Sequence, residues 1–247
     1  MSMKERNLNA SAIVPAAGRG ERLGPGAPKA LRTLGGVPML VHAVRALCRA
    51  RSIGRVVVVA PPEEVADVRA MLDADRGVEG ADVRVVPGGA DRQESVRLGL
   101  DAVADDSEIV LVHDAARPLV PIGVIESVVA AVAAGADAVV PVLPVTDTVK
   151  RVGPADADGA EPVLDTPDRS VLRAVQTPQG FRRAVLEKAH REAGPGAPIT
   201  DDAGLVELAG GRVVAVRGHE HAFKVTRPLD LVFAEALLAH RSVADGF

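Results

Sequence analysis

Residues 13–31 read IVPAAGRGERLGPGAPKAL. A strand-like apolar run, AIVPA over 12–16, stops at small residues and gives way to glycines, arginines, prolines and one lysine. Beyond this loop, MLVHAVRALCRA (39–50) has helical spacing and RVVVVA (55–60) is again a strand, so the region reads as a strand–loop–helix–strand unit. The rhythm continues. PEEVADVRAML (62–72) reads as helix, VRVVPGG (83–89) as strand, RQESVRLGLDAV (92–103) as helix and EIVLVHDAARP (108–118) as strand then loop. IGVIESVVAAVAAG (122–135) is a helix closed by Gly135, and DAVVPVLPV (137–145) is a strand. Continuous β-branched runs mark strands buried on both faces, and strands alternating with helices mark a mostly parallel sheet. The predicted fold is a three-layer α/β/α architecture around a twisted, mostly parallel, Rossmann-like sheet, forming one domain over 1–247.

The rhythm breaks over 145–170, where TVKRV and PVLDT flank the turn-rich GPADADGAEP, and a protruding β-hairpin arm is expected. The α/β pattern then resumes with helices at 181–194 and 202–210, a strand at 212–218 and a closing helix at 228–241.

Composition narrows the function. The chain has 247 residues, 47% hydrophobic but only 2% aromatic, with neither Trp nor Tyr, so it offers little base-stacking surface for single-stranded nucleic acid. A net charge of −4 gives no global field for nucleic acid or anionic membrane, so any anion site is local. The lone Cys48 sits in an apolar helical pattern and reads as a small buried hydrophobe. The polar leader MSMKERNLNA precedes too short an apolar run for a signal peptide, and no run reaches membrane-span length, so a cytoplasmic protein is expected. HEHAF (219–223), read as strand, offers His219 and His221 with no third ligand nearby in sequence, a poor metal pair.

A glycine-rich loop after a first parallel strand brings backbone N–H groups to phosphates. Two common forms fail here. Lys29 lies between Pro28 and Ala30, without the hydroxyl residue of a Walker loop. Leu23 stands where a dinucleotide fingerprint needs its third glycine, and no acidic residue ends the second strand. What remains is Ala16-Ala17-Gly18-x-Gly20-x-Arg22 followed by Lys29, a loop suited to clamping several phosphates.

PAAGRGERLGPGAPKAL resembles the signature of nucleotidyltransferases that join an NTP to a sugar or polyol phosphate. PGGADRQESV (87–96), VHDAARP (112–118), PVTDTVKR (144–151), QTPQGF (176–181), TDDAGLVE (200–207) and KVTRPLDL (224–231) narrow the resemblance to the methylerythritol phosphate cytidylyltransferases of the non-mevalonate isoprenoid pathway. The resemblance runs from about 12 to 240. It implies transfer of cytidylate from CTP to methylerythritol phosphate with release of pyrophosphate. It also implies that Arg22, Lys29 and Lys224 are catalytic cations, with Ala16, Ala17 and Gly18 against the nucleotide. Gly88, Gly89 and Ser95 then belong to the cytosine-reading segment, where this chain has Ala90 in place of the Asp of some relatives.

Asp114 falls at the carboxyl end of a buried strand, and a carboxylate among phosphates is assigned to Mg²⁺, or else to capping a turn or helix. Arg117 either contacts phosphate or pairs with Asp114. Relatives reach across a homodimer with the arm, so Thr148 and Arg169 would bind the acceptor phosphate in the partner's site. Thr200 and Asp201 read as acceptor contacts, as helix caps, or as both. Two alternatives stand beside this reading: a ribitol phosphate cytidylyltransferase of the same fold, and a non-catalytic nucleotide-binding protein. The chain ends shortly after its last helix, so no fused downstream enzyme is expected.

Overall fold

A computed structural model describes residues 9–18, 29–193 and 200–244, apart from the side chains of Lys29 and 241–244. In chain order the strands and helices are β1 (Ala10–Pro15), β2 (Thr33–Leu34), β3 (Val37–Pro38), α1 (Met39–Arg49), β4 (Ile53–Ala60), α2 (Val65–Asp73), β5 (Asp82–Pro87) and α3 (Arg92–Leu100). There follow β6 (Ile109–Val112), α4 (Ile122–Ala133), β7 (Ala138–Pro144), β8 (Arg151–Val152), β9 (Val163–Asp165), β10 (Arg173–Val175) and β11 (Gln179–Arg182). The chain closes with α5 (Arg183–Glu192), α6 (Asp202–Leu208), β12 (Val213–Arg217) and α7 (Pro228–Ala244).

Among the described residues eight strands form one sheet, ordered β5-β4-β1-β6-β11-β7. At its far end β7 is flanked on both sides, for Val142 lies opposite Val175 of β10 and Arg217 of β12. β5, β4, β1 and β6 run parallel, as β7 and β12 do. β11 is antiparallel to both neighbours, β6 and β7. The sheet is thus two parallel blocks joined by the reversed strand β11, with β10 also reversed against β7, a detail the helix–strand alternation does not announce.

Alternate residues of each strand go to opposite faces. Ala12 and Val14 join Val56, Val58 and Leu111 in a core with α1, α2 and α4. Ile13, Val57, Val59, Val110 and Phe181 form the other core with α3, α5 and α6. These are the three layers expected, filled almost wholly by aliphatic side chains. A third cluster seats α7 against β2 and the start of α1 through Leu34, Met39, Val225 and Ala234. Gly35 and Gly36, at φ 58° and 78°, make the tight turn between β2 and β3, a hairpin the sequence reading passes over. The helix expected at 62–72 begins instead with a 3-10 turn, Pro62–Glu64, before α2. Cys48 is half-buried on α1, and burial pushes its thiol up to about 11.

Within 145–170, β8 and β9 pair antiparallel in a ladder separate from the main sheet. Arg151 pairs with Asp165 and Lys150 donates to Thr166, so the arm is laced by exposed polar contacts. Its Val152, Val163 and Leu164 are 41%, 58% and 58% exposed, apolar surface that the single chain leaves in water.

Candidate active site

Parallel β1, β4, β5 and β6 deliver their carboxyl ends to one edge of the sheet, where open α/β folds bind ligands. Segments leaving β1, β5 and β6 enclose a cleft of about 430 Å³ lined by Pro15–Gly18, Ala30, Gly89–Arg92, Ser95, Asp114–Ala116 and Lys224. A second cleft of about 220 Å³ is lined by Arg117, Val175–Thr177, Gln179, Thr200 and Asp201. Arg92, Asp114 and Lys224 line both.

Of the loop residues expected to hold a nucleotide, Ala16, Ala17 and Gly18 line the larger cleft. A methyl group on Gly18 would meet no described atom within 4 Å, so its backbone is open to a ligand. Arg22 lies outside the described residues. Lys29 opens a 3-10 turn, Lys29–Leu31, and its side chain lies outside the described part.

The 88–95 segment is held from within. Gly88 N–H donates to Ala60 O (2.7 Å), Gly89 N–H to Ser95 Oγ (3.2 Å) and Ala90 N–H to Glu94 Oε2 (2.7 Å). Ser95 Oγ donates to Asp91 O, and Asp91 caps α3 by accepting from Glu94 N–H. Gly88 does not line the cleft. It lies beneath, where a Cβ would come within 3.0 Å of Ala17 and Ser95. Because the N–H groups of Gly88, Gly89 and Ala90 are spent internally, those three residues are left with carbonyl acceptors to offer.

Asp114 is the electrostatic centre. Its carboxylate is 2.9 Å from Lys224 Nζ, 3.7 Å from Arg117 Nε and 3.8 Å from Arg92 Nε. Burial opposes its charge, but Lys224, Arg92 and Arg117 outweigh burial and hold the carboxyl at about 2. Arg117 pairs with Asp114 and also lines the smaller cleft. It is buried and donates to Ala222 O (2.7 Å) and Val175 O (3.3 Å), tying the segment that carries Lys224 to the β6 loop. Val225 N–H donates to Ala116 O on the other side of Lys224, so the lysine is clamped from both ends.

Several supports escape the sequence reading. QTPQ (176–179) stands there as part of a motif without roles. Gln176 exchanges hydrogen bonds with the backbone N–H and C=O of His219. Arg117 O, 3.3 Å from His113 Nε2, can only accept, so the neutral ring keeps its proton on Nε2. Thr177 Oγ1, which accepts from Asp114 N–H (3.0 Å), donates its own hydrogen to His113 Nδ1 (3.0 Å). The imidazole is neutral, and burial pushes its pKa down to about 4. Gln179 donates to Asp201 Oδ2 (2.6 Å) and accepts from Ala203 N–H. Three neighbouring side chains thus brace three separate walls of the site.

Thr200 and Asp201 line the smaller cleft, and Asp201 also caps α6 through Gly204 N–H (3.0 Å). Thr148 and Arg169 line neither cleft, and Arg169 donates to Thr146 O at the base of its own arm. His219 and His221 are not on a strand as expected. His219 caps a 3-10 turn, Glu220–Ala222, that contains His221; their rings are 4.6 Å apart, and His221 N–H donates to His219 Nδ1. No group of three or more metal-ligating His, Cys, Asp or Glu occurs among the described residues, and no described helix is long and apolar enough to cross a membrane.

Two clefts sharing their charged residues, the larger with nucleotide dimensions and beside a glycine-rich strand end, belong to an enzyme that transfers a nucleotidyl group between two substrates. Comparison with known proteins says which. The family model for 2-C-methyl-D-erythritol 4-phosphate cytidylyltransferase matches residues 10–240. A protein of that name from Streptomyces avermitilis is 60% identical over 238 residues, covering 96% of this chain and 94% of the relative. The crystal structure of the Thermus thermophilus enzyme of that name superposes with a TM-score of 0.71 at 37% identity, covering 93% of this chain and 98% of that one. That of the Anaerococcus prevotii 4-diphosphocytidyl-2C-methyl-D-erythritol synthase gives 0.77 at 27% identity, with the same coverage. The chain belongs to the 2-C-methyl-D-erythritol 4-phosphate cytidylyltransferase family.

Proposed function

We propose that the chain carries out its family's reaction at the junction of the two clefts. CTP and 2-C-methyl-D-erythritol 4-phosphate give 4-diphosphocytidyl-2-C-methyl-D-erythritol and pyrophosphate. The carrying observation is the Asp114–Lys224 pair, 2.9 Å apart and common to both cavities, where the ends of two substrates would meet. The acceptor phosphate attacks the α-phosphorus of CTP and pyrophosphate departs from the opposite side. A phosphate monoester has a second pKa of about 6, so it arrives mostly as the dianion and needs no base. The site agrees: Asp114 at about 2 is too weak a base, and neutral His113 is buried against Thr177. What the protein supplies is position and positive charge.

Arg22 and Lys29 act on the triphosphate and the five-coordinate α-phosphorus, and Lys224 on the reacting phosphate. The carbonyls left over in the Gly88–Ser95 segment suit the amino group of cytosine and oppose the carbonyl of uracil. Mg²⁺ fits a site of this kind, since that ion is commonly held by one or two carboxylates together with substrate phosphates, and Asp114 is ionised throughout the physiological range. Asp114 would hold it, and the ion would neutralise charge on the departing pyrophosphate.

The arm is read as a dimerisation element whose Thr148 and Arg169 serve the partner's acceptor site. Its exposed apolar residues, and the distance of both polar residues from their own chain's clefts, support that reading. The residues from 1 to 247 are read as one catalytic unit, working in the cytoplasm.

The test is pyrophosphate release from CTP with each alcohol phosphate. Turnover with the methylerythritol compound is expected. Turnover with ribitol 5-phosphate alone, or with neither, would overturn the assignment.

A further inference from the structure

Arg92 occupies the first turn of α3, where the helix end carries partial positive charge and an acidic residue would be favoured. Its placement answers to something outside its own helix. Nη1 lies 2.8 Å from Asp202 Oδ2, and Nε lies 3.8 Å from Asp114 Oδ1. Asp202 is only 1% exposed, and its other oxygen is 3.1 Å from His190 Nε2. His190 Nδ1 is buried without a hydrogen-bond partner. Burying a carboxylate this deeply is costly unless it is paired, and an apolar side chain of similar volume would fill the place more cheaply. Of the groups facing Asp202, only Arg92 reaches solvent, with 35% of its side chain exposed, and it reaches it in the wall common to both clefts.

The other described cations there share their charge with fixed partners. Arg117 gives its guanidinium to two backbone carbonyls, and Lys224 sits on Asp114. Arg92 meets Asp202 through one terminal nitrogen, Nη1 at 2.8 Å, and approaches Asp114 only to 3.8 Å through Nε. Its planar fork therefore keeps donors for an incoming oxyanion, and phosphate is the group that fork fits best. Its anchor lies in α6, immediately after Thr200 and Asp201 of the smaller cleft, which places it on the acceptor side.

We propose that Arg92 is a further substrate-binding residue, which takes the acceptor's phosphate at the junction of the clefts, and that buried Asp202, braced by His190, is the positioning residue that aims it. This rests on the reaction assigned above.

The experiment compares the parent with Arg92→Gln, Arg92→Lys, Asp202→Asn and the Arg92→Gln/Asp202→Asn double variant. It measures kinetics in both substrates, CTP affinity by calorimetry without acceptor, and melting to verify folding. Losing a preorganised charged donor costs about 10²-fold. Arg92→Gln is therefore expected to lower kcat/KM for the acceptor by about that factor while CTP affinity stays within about threefold. Arg92→Lys keeps the charge without the fork and falls between. If Asp202 acts through Arg92, Asp202→Asn lowers acceptor kcat/KM alone, and the double variant is no worse than Arg92→Gln.

Acceptor kinetics within threefold of the parent in folded Arg92→Gln, or an equal loss of CTP affinity, overturns the role of Arg92. Multiplying effects in the double variant overturn the role of Asp202. Should Asp202→Asn not fold, Asp202→Glu keeps the charge but moves it, and unchanged acceptor kinetics there overturn the positioning claim. A parent that releases no pyrophosphate removes the assigned reaction, whereas an active parent with an unimpaired Arg92→Gln removes only this inference.

Discussion

Two glycines in helices should respond to alanine with opposite signs. Gly99 lies near the end of α3, pressed on the sheet. A Cβ there would stand 2.6 Å from Ile13 Cγ2 and 3.0 Å from Val59 Cγ2. Both neighbours are fully buried, so neither can swing away. Overpacking of this kind costs about 1–3 kcal/mol, against which alanine's better helix propensity returns about 1 kcal/mol. The net expectation is a loss of roughly 0–2 kcal/mol. Gly123, in the first turn of α4, is exposed and has nothing within 4 Å of the added methyl. Gly123→Ala should gain up to about 1 kcal/mol. The two variants should therefore differ by about 1–3 kcal/mol in urea unfolding at pH 7. Because α3 also carries Ser95, which lines the larger cleft and holds the Gly89 N–H, lifting it off the sheet should weaken CTP binding in Gly99→Ala and leave it intact in Gly123→Ala. A Gly99→Ala protein more stable than the parent, with parental CTP affinity, would show that α3 is not seated as closely as this reasoning requires.

A site that offers carbonyls to the base should give a kcat/KM for CTP well above that for UTP, since the wrong base leaves polar groups unpaired; comparable values would refute it. Lys29→Ala protein mixed with Arg169→Ala protein under subunit exchange should regain activity, because one site of the mixed dimer keeps both residues. No recovery would place Arg169 in its own chain's site. Burial holds His113 at about 4 against an ordinary 6.5, so the unfolded chain takes up its proton first as pH falls. That stability is present above 6.5 and lost through this window, amounting to about 2 kcal/mol between pH 7 and 5. Urea unfolding at the two pH values should show the loss in the parent but not in His113→Gln, which keeps one donor and one acceptor. Equal slopes would mean that the imidazole is not neutral and buried.

The layers were legible because runs such as RVVVVA leave few alternatives to a doubly covered strand, and the cleft followed from where such strands end. β10 and β11 were not. RAVQTPQGF carries two glutamines, a threonine and a proline in nine residues, and its pairing with β6 and β7 is decided by partners far along the chain. The same holds for the site. Asp114 and Lys224 stood in long motifs. Arg92 with Asp202, and His113 with Thr177, are pairs joined only by folding, and nothing local in either partner marks the other. The two histidines of HEHAF read as strand residues in the sequence, whereas Ala222 N–H bonds back to His219 O and places His221 inside a 3-10 turn that His219 caps.

The reversed strand β11 also sets an order of assembly on the ribosome. β1, β4, β5 and β6 emerge first and can pair among themselves, but the outer edge of β6 has no partner until the arm and β11 have been synthesised, when Val112 meets Gln179. Until then a growing chain carries an apolar strand, IVLV, with an open row of hydrogen-bonding groups, the feature through which unfinished sheets aggregate. Closure of that edge and delivery of Thr177 and Gln179 to the catalytic cleft are one event, so the nascent chain ceases to be sticky at the moment it becomes able to build its site.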